Sequence, residues 1–304
     1  MKRWFLALSV LALAACEREA QVANSAAECQ SLRDRDARIA ACTTAAEDEQ
    51  YSADVRAEAL ATRASLREEA GEVTPALRDY EAAQRLDADN VAALLGRGRI
   101  LLASGQLDAA EPLLVRAQSD GPSADASEML GQIALRRSQY QAALEHFDAA
   151  LDAGRFPAAM AGRARAKQRT GDLDGATADY DAAVRMDGAL AEARAGRCWL
   201  DLNQDRNLTR ARSDADAAIA ADPANVEGQL CRGVLHLREG AWADARASFD
   251  AVLAIEPGNP TALFGRGVAR RRSGDNAGRE DMNLARDFDR HIGATFDDMG
   301  VNTF

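Results

Sequence analysis

Residues 164–183 read Ala-Arg-Ala-Lys-Gln-Arg-Thr-Gly-Asp-Leu-Asp-Gly-Ala-Thr-Ala-Asp-Tyr-Asp-Ala-Ala. Five positions in this stretch return along the chain: small Ala164, turn residue Gly171, and the phrase Ala176/Tyr180/Ala183. The phrase recurs as Ala76/Tyr80/Ala83, Ala110/Leu114/Ala117, Ala143/Phe147/Ala150, Ala211/Ala215/Ala218 and Ala245/Phe249/Val252, with first members 34, 33, 33, 35 and 34 residues apart. The small column reads Ala64, Gly98, Gly131, Ala164, Cys198, Gly233 and Gly267, and the turn column Gly71, Gly105, Ser138, Gly171, Asp205, Gly240 and Gly274. Columns held at one period mark a repeat array.

Small residues along one helical stripe, with a bulky ridge residue between them, give a helix with a groove and a ridge. A pair of such helices has too little apolar surface to bury alone, so it must stack on neighbouring pairs. The punctuation agrees. Pro75 and Pro112 fall in the opening turn of a second helix, and Pro157 and Pro260 start first helices, where a missing N–H costs nothing. The fifth repeat has no turn glycine and no ridge aromatic, and carries an inserted residue in Asp205–Thr209. The seventh loses the alanine phrase at Arg279-Glu280-Asp281-Met282 and closes the array.

The array so read spans 53–285. Ahead of it, 28–52 forms a degenerate helical hairpin and 16–27 a polar tether. Behind it, Ala285, Phe288, Ile292, Phe296 and Met299 recur at three and four residues, predicting a capping helix over 286–304.

The chain has 304 residues, 37 basic against 48 acidic, for a formal charge of −11. That balance argues against nucleic-acid binding and against adhesion to anionic lipid, both of which need surplus Lys and Arg. His146, His236 and His291 lie far apart in sequence, and none has a His or Cys partner three or four residues away. The carboxylates fall on helix faces or in turns, and Gly96-Arg97-Gly98 follows no strand. No catalytic group, metal ligand set or cofactor motif emerges, and the reading is of a non-enzyme.

Lys2 and Arg3 precede an uncharged run, Trp4–Ala15, too short to span a bilayer and of the length of a signal-peptide core. It ends in Leu13-Ala14-Ala15-Cys16, which resembles a bacterial lipobox. The resemblance implies removal of 1–15, lipidation of Cys16, and a place in the cell envelope facing the periplasm. Glu17 after the cysteine favours the outer membrane.

Four further cysteines fit an oxidising compartment. Cys29 and Cys42 enclose a short loop on the N-terminal hairpin and are expected to be bridged. Cys198 and Cys231 sit on neighbouring first helices. Packed helix axes lie about 8–10 Å apart, whereas a disulfide needs Cα atoms within about 7 Å. Two buried, reduced thiols are therefore the favoured reading, with a bridge as the alternative.

The columns resemble the tetratricopeptide repeat, a helix–turn–helix unit of 34 residues. The resemblance implies an all-α, right-handed superhelical solenoid of six to seven units with an N-terminal hairpin and a C-terminal cap. It also implies a concave groove, lined by first helices, that holds a partner peptide. Mapped onto this chain, the groove comprises Arg99, Arg136, Arg165, Arg169, Trp199, Leu230, Arg238, Phe264, Arg271 and Arg272, beside Leu95, Gln132 and Asn203. Seven of these are arginine, against four acids at adjacent groove positions, Asp125, Glu128, Glu192 and Glu227, on a chain whose total runs the other way, so the expected ligand is an acidic protein or peptide segment, with no cofactor. A separate arginine column (Arg63, Arg97, Arg163, Arg197, Arg232, Arg266) precedes the small residue. Asp79, Asp179 and Asp214 on the second helices are its expected partners.

The function read from all this is a lipid-anchored envelope adaptor that binds another protein. It is similar to outer-membrane lipoproteins of this repeat class that serve pilus biogenesis, outer-membrane assembly and peptidoglycan-enzyme regulation. A subunit of an enzyme complex or a small-molecule-binding solenoid is the second reading, set back because helical solenoids offer shallow grooves more readily than closed pockets.

Overall fold

The computed structural model describes residues 24–119, 121–154 and 156–302, so Cys16 and the leader expected over 1–15 lie outside the described residues. Seventeen α-helices and no strand occur among them. Helix α1 (24–31) and α2 (Arg35–Glu47) precede seven helix pairs. The pairs are α3 (Ala53–Glu69) with α4 (Val73–Leu86), α5 (Val91–Ala103) with α6 (Leu107–Arg116), and α7 (Ala124–Arg136) with α8 (Tyr140–Ala153). Next come α9 (Pro157–Thr170) with α10 (Leu173–Met186), α11 (Ala191–Asn203) with α12 (Leu208–Ala221), and α13 (Val226–Arg238) with α14 (Trp242–Ile255). The last pair is α15 (Pro260–Arg272) with α16 (Gly278–Phe288), and α17 (Ile292–Asp298) follows. No described helix is long and apolar enough to cross a membrane.

The chain forms two compact bodies, one ending at Ile133 and one beginning at Ala134. In the N-terminal body α3 packs on α4 and α5, and α5 on α6. In the C-terminal body α9 packs on α10 and α11, α11 on α12 and α13, and α13 on α14 and α15. Within each body first helices thus touch first helices, and α4, α10, α12 and α14 are each clasped by the first helices of their own and the next repeat.

Side-chain size dictates this clasp. A Cβ on Gly96 would overlap the ring of Tyr80, and one on Gly162, Gly196 or Gly265 the ring of Phe147, Tyr180 or Phe249. These glycines face the preceding repeat's ridge. The small column faces the ridge of its own repeat: Gly98 meets Leu114, Gly233 meets Phe249, and Gly267 meets Met282. Tyr80, Tyr180 and Phe249 are therefore each buried between two backbones that carry little or no side chain, and burying one such aromatic contributes roughly 1.5–3 kcal/mol.

The turn column is left-handed in all seven repeats. Gly71 has φ +77° and Gly171 φ +90°, and the two non-glycine members, Ser138 and Asp205, still adopt φ 58° and 50°. Three first helices start on asparagine caps: Asn90, Asn225 and Asn259 accept from the N–H three residues on, each worth about 1 kcal/mol.

Several expectations change. The tether read over 16–27 is already helical from residue 24, because Ser25 is buried with its hydroxyl 3.3 Å from that of Tyr51. Pro112 sits at the sixth residue of α6 instead of its opening turn, and α6 ends after ten residues. The cap is not one helix: α16 stops at Phe288, which is 62% exposed, and the covering elements are α17 and residues 299–302. Phe296 is fully buried and Ile292, Met299 and Val301 nearly so.

Cys29 and Cys42 are bonded, with Cα atoms 4.6 Å apart, joining α1 to α2. Cys198 and Cys231 are bonded too, with Cα atoms 6.4 Å apart, so the reading of two reduced thiols is corrected. Ala215 supplies the reason. It is the one ridge residue too small to fill the clasp, and Cys198 and Cys231 occupy the two columns that elsewhere flank a ring. Their cystine joins α11 to α13 across the gap that Ala215 leaves.

Candidate functional site

Three arginines of the column are held as expected. Arg63 forks onto Asp79 at 2.8 and 2.7 Å, Arg163 onto Asp179 at 2.7 and 2.8 Å, and Arg197 onto Asp214 at 2.7 and 2.8 Å. A fourth fork, Arg266 on Asp281, escaped the sequence reading because the seventh repeat had lost its alanine phrase. Each aspartate also meets a second cation: Arg67, Lys167, Arg194 and Arg270 respectively. Burial pushes the Asp179 carboxyl up, but the hydrogen bonds from Arg163 and Lys167 outweigh it and hold the group below the ordinary carboxylate value. The remaining guanidinium nitrogen reaches back to the preceding repeat. Arg163 donates to Asp148, Arg197 to Asp181 and Arg266 to Asp250. These clusters hold repeats in register, and their cations are committed.

A cleft of about 680 Å³ opens on the first helices of the C-terminal body. Its polar members include Arg136 at the end of α7, Gln168 with Arg165 and Arg169 on α9, Asn203 on α11 and Glu227 on α13; its apolar members include Leu135, Trp199 and Leu230. Tyr180 and Gly196, a ridge and its clasp, also line it. Trp199 is fixed in place, since its indole N–H donates to the Glu227 carbonyl at 3.1 Å. Arg165 pairs with the Glu227 carboxylate. Burial pushes the Tyr180 phenol up to about 12, so it stays a neutral hydroxyl. Arg169 is exposed.

The cleft gathers five of the ten expected groove residues: Arg136, Arg165, Arg169, Trp199 and Leu230. The others differ. Arg99 lies in the N-terminal body, where it is bound to Glu68 at 2.7 Å. Glu68 also accepts from the Tyr80 hydroxyl at 3.0 Å, and burial with that carboxylate pushes the phenol up to about 12. Phe264 is no groove residue, being fully buried with its ring 5.0 Å from that of Phe296 and the Arg286 guanidinium 5.3 Å from its centroid. Arg238 pairs with Asp205 at 2.5 Å and lies against Gly300. Arg272 donates to the Asn302 carbonyl at 2.9 Å and sits 6.0 Å from the Trp242 ring. Arg271 is exposed with its stem against Gly278 of α16. The mapping took each first helix to present the same face to solvent, and it failed where the C-terminal segment folds over the last two repeats. Among the described residues no group of three or more His, Cys, Asp or Glu is arranged to hold a metal ion.

The family model described as tetratricopeptide repeat matches residues 61–124, 101–159, 201–260 and 235–278, together more than half of the chain. The chain belongs to the tetratricopeptide repeat family. Solved structures agree on the fold. A tetratricopeptide repeat protein from Parabacteroides merdae is 15% identical over 88% of this chain and 98% of its own, with a TM-score of 0.58. PilF of Pseudomonas aeruginosa is 21% identical over 70% and 95%, at 0.55. A chain of the APC/C hetero-tetramer Cut9–Hcn1 is 13% identical over 79% and 49%, at 0.64. No curated protein matches the chain significantly. As a tetratricopeptide repeat protein it keeps the helix pair and the left-handed turn in all seven repeats. It departs at the fifth, where a cystine stands in place of the ridge aromatic.

Proposed function

We propose that this tetratricopeptide repeat protein is an adaptor of the bacterial envelope, anchored by lipid on Cys16, that holds a segment of another protein in the cleft of its C-terminal body. The observation that carries the reading is the cleft itself: a fixed indole and Leu230 beside Arg165, which pairs with Glu227, and the exposed Arg169, on a chain of net charge −11. Aromatic and arginine side chains in a partly desolvated hollow are the usual anchors of protein interfaces. The exposed guanidinium of Arg169 there favours an acidic segment, chiefly through association rate and register.

Trp199→Ala combined with Arg169→Glu is the test. Crosslinking in intact envelopes followed by purification should recover a partner with the wild type and with Arg271→Glu, but not with the double variant, while circular dichroism stays unchanged. Recovery should also fall as ionic strength rises. Undiminished recovery by the double variant would place the working surface elsewhere.

A further inference from the structure

The cleft and the C-terminal segment use the same two residue columns. Five positions after the small residue, successive repeats carry Arg136, Arg169, Asn203, Arg238 and Arg272; three positions before it, the fifth to seventh carry Ala195, Leu230 and Phe264. The earlier members of the first column and Leu230 of the second line the open cleft. The later members hold the chain's own residues 292–302. Phe296 rests on Phe264, the carbonyl of Asn302 accepts from Arg272, and Gly300 lies against Arg238. Gly300 has φ +74°, and the Val301 N–H donates back to the Phe296 carbonyl, so the segment is one short helix closed by a chain reversal. It carries Asp297 and Asp298 directly after its aromatic anchor.

We infer that residues 292–302 are an intramolecular template of the partner: the cleft takes in trans an acidic, helical segment with an aromatic anchor and a chain reversal, whose ring meets Leu230 and Trp199 and whose carbonyls meet Arg136 and Arg169. The inference rests on the cleft being the working surface and names the chemistry of what enters it. Glycine at the reversal matters for the template, because a Cβ at Gly300 would press on the Arg238 guanidinium as well as strain the backbone.

The probe is a synthetic peptide with the sequence of residues 292–302, fluorescently labelled and titrated against the full-length chain. Saturable binding is expected, weakened about tenfold or more by Arg136→Glu with Arg169→Glu, and by exchanging Phe296 for Ala in the peptide. Absence of saturable binding overturns the inference. So does binding that ignores the Arg136 and Arg169 changes but is altered by Arg238→Glu with Arg272→Glu, since the peptide would then be exchanging with the docked segment. Envelope crosslinking that depends on Trp199, together with a peptide that does not bind, would leave the adaptor reading standing and remove this template alone.

Discussion

Asp179 shows how a single side chain sets the register of the array. It is 7% exposed and accepts from Arg163 and Lys167, so its loss strands two cations in a partly buried site. Asp179→Ala should cost about 2–4 kcal/mol in urea unfolding, whereas Asp148→Ala, at a carboxylate 57% exposed, should cost under about 1 kcal/mol. The pH dependence has a definite sign. The folded carboxyl titrates below its ordinary 3.8, so its stabilisation is complete above that value and is lost as pH falls through the folded one. Asp179→Asn should therefore be less sensitive than wild type to acidification below about pH 4, seen as a smaller drop in urea midpoint. The arginine column and three of its four acids were legible as a fixed spacing. Asp281 was not, because the spacing was anchored on alanines that the seventh repeat lacks.

At the scale of the element, one clasp is filled in two chemical ways. In the third repeat Phe147 meets Gly162; in the fifth, Ala215 sits beside the Cys198–Cys231 bond. Reducing that bond should lower stability by about 3–4 kcal/mol on loop-closure grounds. The triple change Cys198→Ala, Ala215→Phe and Cys231→Gly rebuilds the ring clasp of the other repeats. It should make the melting temperature indifferent to reductant, and a variant that melts like the reduced wild type would refute the equivalence. The turn column offers a second case. Ser138 is held at φ 58°, where glycine is at ease, and Ser138→Gly should raise stability by about 0.5–1 kcal/mol in the same unfolding assay. Helix pairs, turns and ridges could be read from sequence because each is a local rule repeated seven times. The bridge could not, since generic helix spacing ignores how closely backbones approach where side chains are small.

For the whole molecule, the proposed anchor makes a separate prediction. Cys16→Ala should shift the chain from the membrane fraction to the soluble periplasm, and a wild-type chain that is soluble without detergent would refute it. Which part of the groove is open was not legible, because Phe264, Arg238 and Arg272 are covered by a segment some thirty or more residues away in sequence, and column mapping sees only local spacing. The back-reaching arginines carry a further consequence. Along α9, α11 and α15 each repeat offers a guanidinium toward its N-terminal neighbour, and Asp148, Asp181 and Asp250 supply the matching acid on that neighbour. At these three joints the repeat thus meets its neighbour with a cationic front against an anionic back, like the two ends of a magnet. Stacked in chain order they attract; turned around, they would set like charge against like. A copy of the fourth repeat, inserted after itself, would bring both Arg163 and Asp181 with it, so the array can lengthen by duplication there without redesigning the joint.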